Sequence, residues 1–238
     1  MEKKLKLPVS EVFYSIQGEG QTMGIPAVFL RLGGCNILCQ SESWICDTIE
    51  VWRKSKAKEF EDVIGEEYEK LLLNHDVHLV ITGGEPLIHE NMIVEFLKYF
   101  SKKYKWYPIV EIETNGTIAP STQLLDWVDY LNVSPKLSNA GAQNSKEIRI
   151  NEQALRVFSE EGQNTIFKFV IEKESDFDEV VTDYLPHINK NQIVLMPAGS
   201  SQEELLRTRL IVAELCRKHQ VRYSERLHVV IWNQKTGV

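Results

Sequence analysis

Three of the four cysteines fall within twelve residues. Three residues separate Cys35 from Cys39 and six separate Cys39 from Cys46, while Cys216 stands alone. Thiolates so close together are soft ligands, and softness selects zinc or iron–sulfur over hard cations. A structural zinc asks for four ligands that close its tetrahedron, and the histidine nearest this loop is His75. Three thiolates suit a four-iron cluster, with one iron left open to a cofactor or substrate. Three buried structural cysteines are the plainer alternative, but this density favours a metal. Cys216 lies in ELCRKH beside Leu215 and reads as core packing.

Other residues around this loop also have chemical capacity. In FYSIQGEG, Gly18 and Gly20 flank Glu19 and admit a close backbone approach, and Gln17 both donates and accepts. Taken alone, that segment is an ordinary turn. Arg31 follows the apolar run Ala27–Leu30, four residues before Cys35. Its planar guanidinium can clamp a carboxylate, or can be a strand-end surface charge. Thr82 leads into Gly83-Gly84-Glu85-Pro86. Paired glycines there let a ligand reach the backbone and an acceptor can meet an ammonium group, unless this is a plain turn. Ser134-Pro135-Lys136 and Met196-Pro197-Ala198-Gly199 each end a candidate strand. Lys136 suits a carboxylate and Ser134 a hydroxyl partner, although turns use the same residues. Thr48, two residues after Cys46, either caps a turn or offers a hydroxyl to a cation, and spacing leaves both open.

The elements that must carry these residues alternate. Candidate strands are Pro26–Leu32, His78–Thr82, Pro108–Glu113, Tyr130–Ser134, Thr165–Ile171 and Gln192–Met196, after an N-terminal segment Val9–Tyr14. Between them lie helical patterns at Glu59–Asn74, Glu90–Lys103, Pro120–Val128, Asn151–Glu160, Asp176–Asn189 and Ser201–His219. Such alternation predicts an α/β fold with a parallel sheet and right-handed crossovers. Six units fall short of the eight of a closed barrel, so the expected fold is an incomplete (β/α)6-type barrel with its site at the strands' carboxyl ends. Leu137–Ser145 (LSNAGAQNS) is the expected flexible loop, and residues 1–238 read as one domain.

Composition narrows the function classes. A formal net charge of −7 disfavours nucleic-acid and anionic-membrane surfaces. No apolar run is long enough for a signal sequence or a membrane span, which makes the cytoplasm the expected compartment.

SIQGEG, the Arg31–Thr48 stretch and GGEP together resemble the 7-carboxy-7-deazaguanine synthase family of radical S-adenosylmethionine enzymes, over nearly the whole chain from Phe13 to Val238. The superfamily's usual loop is C-x3-C-x2-C, and here the second gap is longer. The resemblance implies a [4Fe-4S] cluster on Cys35, Cys39 and Cys46. It implies S-adenosylmethionine against Ile45, Cys46, Asp47, Gly84, Glu85, Ser134, Pro135, Lys136, Met196, Pro197, Ala198 and Gly199. It further implies a carboxypterin substrate held by Ile16, Gln17, Gly18, Arg31 and Thr82, and Mg2+ on Thr48. The implied reaction is radical ring contraction of 6-carboxy-5,6,7,8-tetrahydropterin with loss of ammonia, as in queuosine-type biosynthesis, without a general base. A small electron donor such as flavodoxin is required, and a homodimer is the implied assembly. Rival readings are a glycyl-radical activase on the same scaffold and a non-catalytic iron–sulfur or zinc protein.

Overall fold

Period-two alternation along the central strands decides the architecture, because it gives the sheet one apolar and one mixed face. A computed structural model describes residues 5–40, 46 and 48–235. The described residues form a nine-stranded sheet: β1 Lys6–Ile16, β2 Pro26–Leu32, β3 Lys56–Glu59, β4 His78–Gly83, β5 Val110–Thr114, β6 Tyr130–Val133, β7 Thr165–Ile171, β8 Ile193–Pro197 and β9 Arg222–Tyr223. Its order is β3-β1-β2-β4-β5-β6-β7-β8-β9. Neighbours from β2 to β9 are parallel, whereas β1 is antiparallel to both β2 and β3. The sheet is therefore mixed, and it is open, with β3 and β9 at its edges.

On the outer face, Leu30, Ile81, Ile112, Val133, Phe169 and Leu195 are completely buried. Helices cover them. Glu90–Tyr104 turns Ile93, Phe96, Leu97 and Phe100 into the same core, at the spacing of one helical face. Gln202–His219 does so with Val212, Leu215 and Cys216, and starts where the Ser201 side chain accepts from the Glu204 N–H. Each such side chain contributes about 1.5–3 kcal/mol on burial. The inner face carries the other parity: Arg31, Thr82, Glu113, Ser134, Lys168 and Met196 all line a cavity. Among the described residues, no helix is long and apolar enough to cross a membrane.

The six expected parallel strands are present as β2 and β4 to β8, with ends shifted by up to two residues. Three expected helices are shorter or broken. Glu59–Asn74 resolves into the end of β3, a 3-10 turn at Phe60–Asp62 and a helix at Glu66–Leu71, because Gly65 is extended between them. Pro120–Val128 keeps only Thr122–Leu125, capped by Ser121. Asp176–Asn189 becomes Ser175–Glu179, a wide turn at Val180–Tyr184 and a 3-10 turn at Leu185–His187 that contains Pro186, whose missing N–H ends regular helix. The loop expected to be flexible is fastened. Asn144 is 5% exposed and donates to the carbonyls of Leu38 and Ala140, which ties the segment to the cysteine loop.

Candidate active site

The inner face and the strands' carboxyl ends open onto one cavity of about 960 Å³. The cysteine loop forms its rim. β2 ends at Leu32, and the chain turns through Gly33 and Gly34, whose carbonyl accepts from the Glu85 N–H at 2.9 Å. Gly84 must be glycine for that approach, since a Cβ would lie 2.2 Å from the Gly34 oxygen and 2.6 Å from the Cys35 Cβ. Asn36 is held between Thr117 (2.7 Å) and Asn115 (2.9 Å). Farther on, the Gln40 N–H reaches the Ala140 carbonyl and the Cys46 N–H reaches the Cys39 carbonyl at 2.9 Å. The segment Leu137–Ser145 thus serves as the buttress of the cysteine loop.

Cys35, Cys39 and Cys46 all line the cavity, and Cys35 and Cys46 pack against a small apolar cluster of Ile37, Cys39 and Ala140. Among the described residues there is no disulfide, and no three cysteine, histidine or acidic side chains converge in ligating geometry. The thiols share a wall without closing around a point. Burial pushes the Cys35 thiol up to about 11, so an anionic sulfur there needs a compensating positive centre. Three thiols on one apolar wall, one of them costly to ionise alone, are a donor set that fits an iron–sulfur cluster. Cys216 lies apart in the helical core with its thiol against the Arg222 carbonyl.

The wall formed by β1 and β2 is aromatic and cationic. Phe13 and Phe29 stack with ring centroids 4.9 Å apart, and the Arg31 guanidinium lies 6.0 Å from the Phe13 centroid. Arg31 Nε donates to Glu11 Oε1 at 2.7 Å, so Glu11 fixes its orientation inside the cavity. Thr82 is the register partner of Arg31 on β4. Thr48 caps nothing with its side chain at the short helix Ile49–Trp52, and its hydroxyl instead lies 3.4 Å from the Cys46 sulfur.

The floor is an ionic cluster that the candidate residues did not include. Lys168 Nζ contacts Glu19 Oε2 at 2.5 Å and Glu113 Oε2 at 3.2 Å. Arg226 Nε contacts Glu19 Oε1 at 3.0 Å, and Gln17 Nε2 donates to Glu113 Oε1 at 3.1 Å. Burial works against the Glu19 carboxylate, yet Lys168, Arg226 and His228 outweigh it and hold Glu19 well below the usual range. Burial with the nearby Glu19 charge raises Glu113, although Lys168 opposes this. Burial also disfavours the Lys168 ammonium, but Glu113 and Glu19 keep it charged well above its ordinary value. A period-two signal was available: Glu111 and Glu113 interrupt VEIET, and Lys168 interrupts TIFKFVI. The C-terminal segment joins the same wall, with the Leu227 N–H on the Gly18 carbonyl at 2.8 Å and His228 lining the cavity.

The remaining candidates divide. Ile16, Gln17, Gly18, Gly84 and Ser134 to Lys136 line the cavity, as do Met196, Ala198 and Gly199. Lys136 Nζ donates to Ser134 Oγ at 3.0 Å. Glu85 sits completely buried beneath the rim, where it accepts from Thr114 Oγ1, Asn115 N and Leu87 N at 2.7–3.0 Å, and burial raises its carboxyl. Pro197 ends β8 as a buried residue. Ile45 and Asp47 lie outside the described residues. The cavity thus combines soft donors at its rim, an aromatic–guanidinium wall and a floor of alternating donors and acceptors.

Residues 16–155 match the domain family described as a 4Fe-4S single cluster domain. The chain is similar to the 7-carboxy-7-deazaguanine synthase of Halobacterium salinarum, with 34% identity over 95% of this chain and 91% of that protein. It is likewise similar to the 7-carboxy-7-deazaguanine synthase of Pyrobaculum aerophilum, with 33% identity over 98% and 97%. Among solved structures it resembles that of QueE from Escherichia coli, with a TM-score of 0.67, 26% identity, and coverage of 94% of this chain and 95% of that one.

Proposed function

This chain belongs to the 7-carboxy-7-deazaguanine synthase family, and from that premise we infer that it is a lyase converting 6-carboxy-5,6,7,8-tetrahydropterin into 7-carboxy-7-deazaguanine with loss of ammonia. The observation that carries the reading is a juxtaposition. The three-thiol loop opens onto the same cavity as Arg31 and the Gln17–Glu113–Lys168 floor, so a soft-metal site and a pocket for a polar heterocycle are one space.

Cys35, Cys39 and Cys46 would hold a [4Fe-4S] cluster, and Gly84, Ser134–Lys136 and Met196–Gly199 would border S-adenosylmethionine on the rim of the incomplete barrel. Together these groups supply a one-electron cleavage and a hydrogen-abstracting radical when bound. The chain's own residues position and seclude. Arg31, oriented by Glu11, clamps the substrate carboxylate, while Phe13 and Phe29 give the pterin ring an apolar wall. Gln17, Gly18 and Glu113 present donors and acceptors to the ring's polar edge, with Lys168 keeping Glu113 in place. Thr48 offers its hydroxyl to Mg2+, whose remaining ligands would be substrate oxygens and water. The required electron comes from a small reducing protein such as flavodoxin.

The spectroscopic test is direct. Reconstituted and reduced protein should show a four-iron paramagnetic signal that shifts when S-adenosylmethionine is added. A cluster whose signal ignores S-adenosylmethionine would leave only a non-catalytic iron–sulfur protein.

A further inference from the structure

We propose that Tyr184 and Arg149, neither of which lines the cavity, are positioning residues that set Lys136 for the carboxylate of S-adenosylmethionine. This rests on the reading that Ser134–Lys136 border that cofactor.

The segment that leaves β6 is gripped at alternate residues. The Ser134 N–H donates to the Thr114 carbonyl at 2.7 Å. The Lys136 carbonyl takes two donors, the Tyr184 hydroxyl at 2.6 Å and Arg149 Nη1 at 3.2 Å. The Ser138 N–H and hydroxyl both donate to the Glu179 carboxylate, at 3.0 and 2.7 Å. Arg149 joins these grips, since Nη1 also reaches the Tyr184 oxygen at 3.2 Å and Glu179 Oε1 at 2.5 Å. With its backbone held from behind the wall, Lys136 lines the cavity and donates to Ser134 Oγ at 3.0 Å. Its ammonium is near enough to favour the charged forms of Cys35 and Glu85. An anionic group bound beside the thiols would meet the same charge.

The cost of this grip argues that it serves the site. Arg149 is 7% exposed, and its Nε–H is buried without a partner among the described residues. An unmade hydrogen bond on a buried charged group is expensive, and well-packed apolar side chains would fill the same space as stably or better. Tyr184 is completely buried, and burial raises its pKa, so the hydroxyl keeps the proton that it donates. The backbone is bent to the same end. Glu179 and Tyr184 are five residues apart, and on a regular helix they would point about 140° away from each other. Across the wide turn Val180–Tyr184 the Leu185 N–H reaches back five residues to the Val180 carbonyl. That extra residue per turn brings both side chains to one rim segment, and turns of this kind recur at functional sites.

The test is a cycle of Tyr184→Phe, Lys136→Ala and the double variant beside the native protein, each loaded with its iron–sulfur cluster. Calorimetry measures the affinity for S-adenosylmethionine and, separately, for the carboxypterin. Tyr184→Phe keeps the ring and its edge contact with Phe169, at 5.0 Å between centroids, and removes only the hydroxyl. In the native background it should weaken S-adenosylmethionine binding about four- to tenfold, the effect of one hydrogen bond. In the Lys136→Ala background the same change should cost less than about twofold, because a residue that acts through Lys136 has nothing left to position. Carboxypterin affinity should be equal with and without the substitution. Unchanged S-adenosylmethionine affinity in Tyr184→Phe would overturn the proposal. So would an equal loss in both backgrounds, or a loss shared with the carboxypterin, since either marks a merely structural tyrosine. A Lys136→Ala protein that binds S-adenosylmethionine as tightly as the native one would overturn the underlying reading of Ser134–Lys136 instead.

Discussion

Replacing Lys168 by Met strips a buried cation from between two partly buried carboxylates and so tests the ionic floor of the cavity. Lys168 is 1% exposed, and its ammonium meets Glu19 at 2.5 Å and Glu113 at 3.2 Å. The methionine fills most of the volume, so the loss is electrostatic rather than a cavity. Breaking a buried pair by removing one partner costs about 3–5 kcal/mol. Arg226 still contacts Glu19, which places the expected cost at the lower end, about 3 kcal/mol. For a chain of this length that is roughly 6–12 °C in Tm. The pH dependence carries the sign. Glu19 is held below the ordinary value of 4.5, so its contribution is present above that pH and is lost as pH falls through the depressed value. Lys168 is held above 10.5, so its contribution is present below that pH and is lost as pH rises. The native advantage should therefore span about pH 5–10. In the variant Glu113, already raised, rises further and protonates more readily as pH falls, so the Tm gap should narrow toward the acid end of that window. Circular dichroism melts at one scan rate measure it. A gap under 2 °C at pH 7.5, or one unchanged at pH 5, would refute the assignment of Lys168 as the cation that holds this floor together.

Further outcomes follow from the rim and wall. Arg31→Ala should weaken carboxypterin binding by about 1.5–3 kcal/mol, roughly 10- to 150-fold, with S-adenosylmethionine binding intact; equilibrium titration of each ligand separates the two. Gly84→Ala drives a methyl into the Gly34 carbonyl and the Cys35 Cβ, so iron uptake per chain should drop, and full iron content would contradict the close approach. Mg2+ should accelerate the native protein but hardly the Thr48→Ala variant, whose absorbance spectrum shows a whole cluster; equal stimulation would place the ion elsewhere.

The parallel core was legible because β2 and β4 to β8 are apolar runs separated by helix-forming stretches, and buried parallel strands leave that mark. β3 was not, since KAKE has no apolar alternation and exists only by pairing with β1. The two-residue β9 is too short to carry a pattern. At the site, the thiols announced themselves through local spacing, whereas Arg31 and the glycine turns gained their reading only from the family resemblance. The floor did not, because Glu19, Glu113, Lys168 and Arg226 come from four distant parts of the chain and meet only through the sheet. Glu113 and Lys168 did leave one trace, charges at inward positions of buried strands, where an unpaired ion is too costly to keep. Leu137–Ser145 misled for the opposite reason: a small polar composition suits a free loop and equally suits a loop whose amides satisfy a neighbour's carbonyls.

The most direct measurement is anaerobic turnover of 6-carboxy-5,6,7,8-tetrahydropterin by protein reconstituted with iron and sulfide, in the presence of S-adenosylmethionine, Mg2+ and a reductant. Product is identified by mass spectrometry, and Cys46→Ala and Cys216→Ala run in parallel. The expected result is 7-carboxy-7-deazaguanine with release of ammonia from the native protein and from Cys216→Ala, and none from Cys46→Ala. A cluster-loaded native protein that leaves the carboxypterin unchanged, or a Cys46→Ala protein that turns it over, would contradict the assignment.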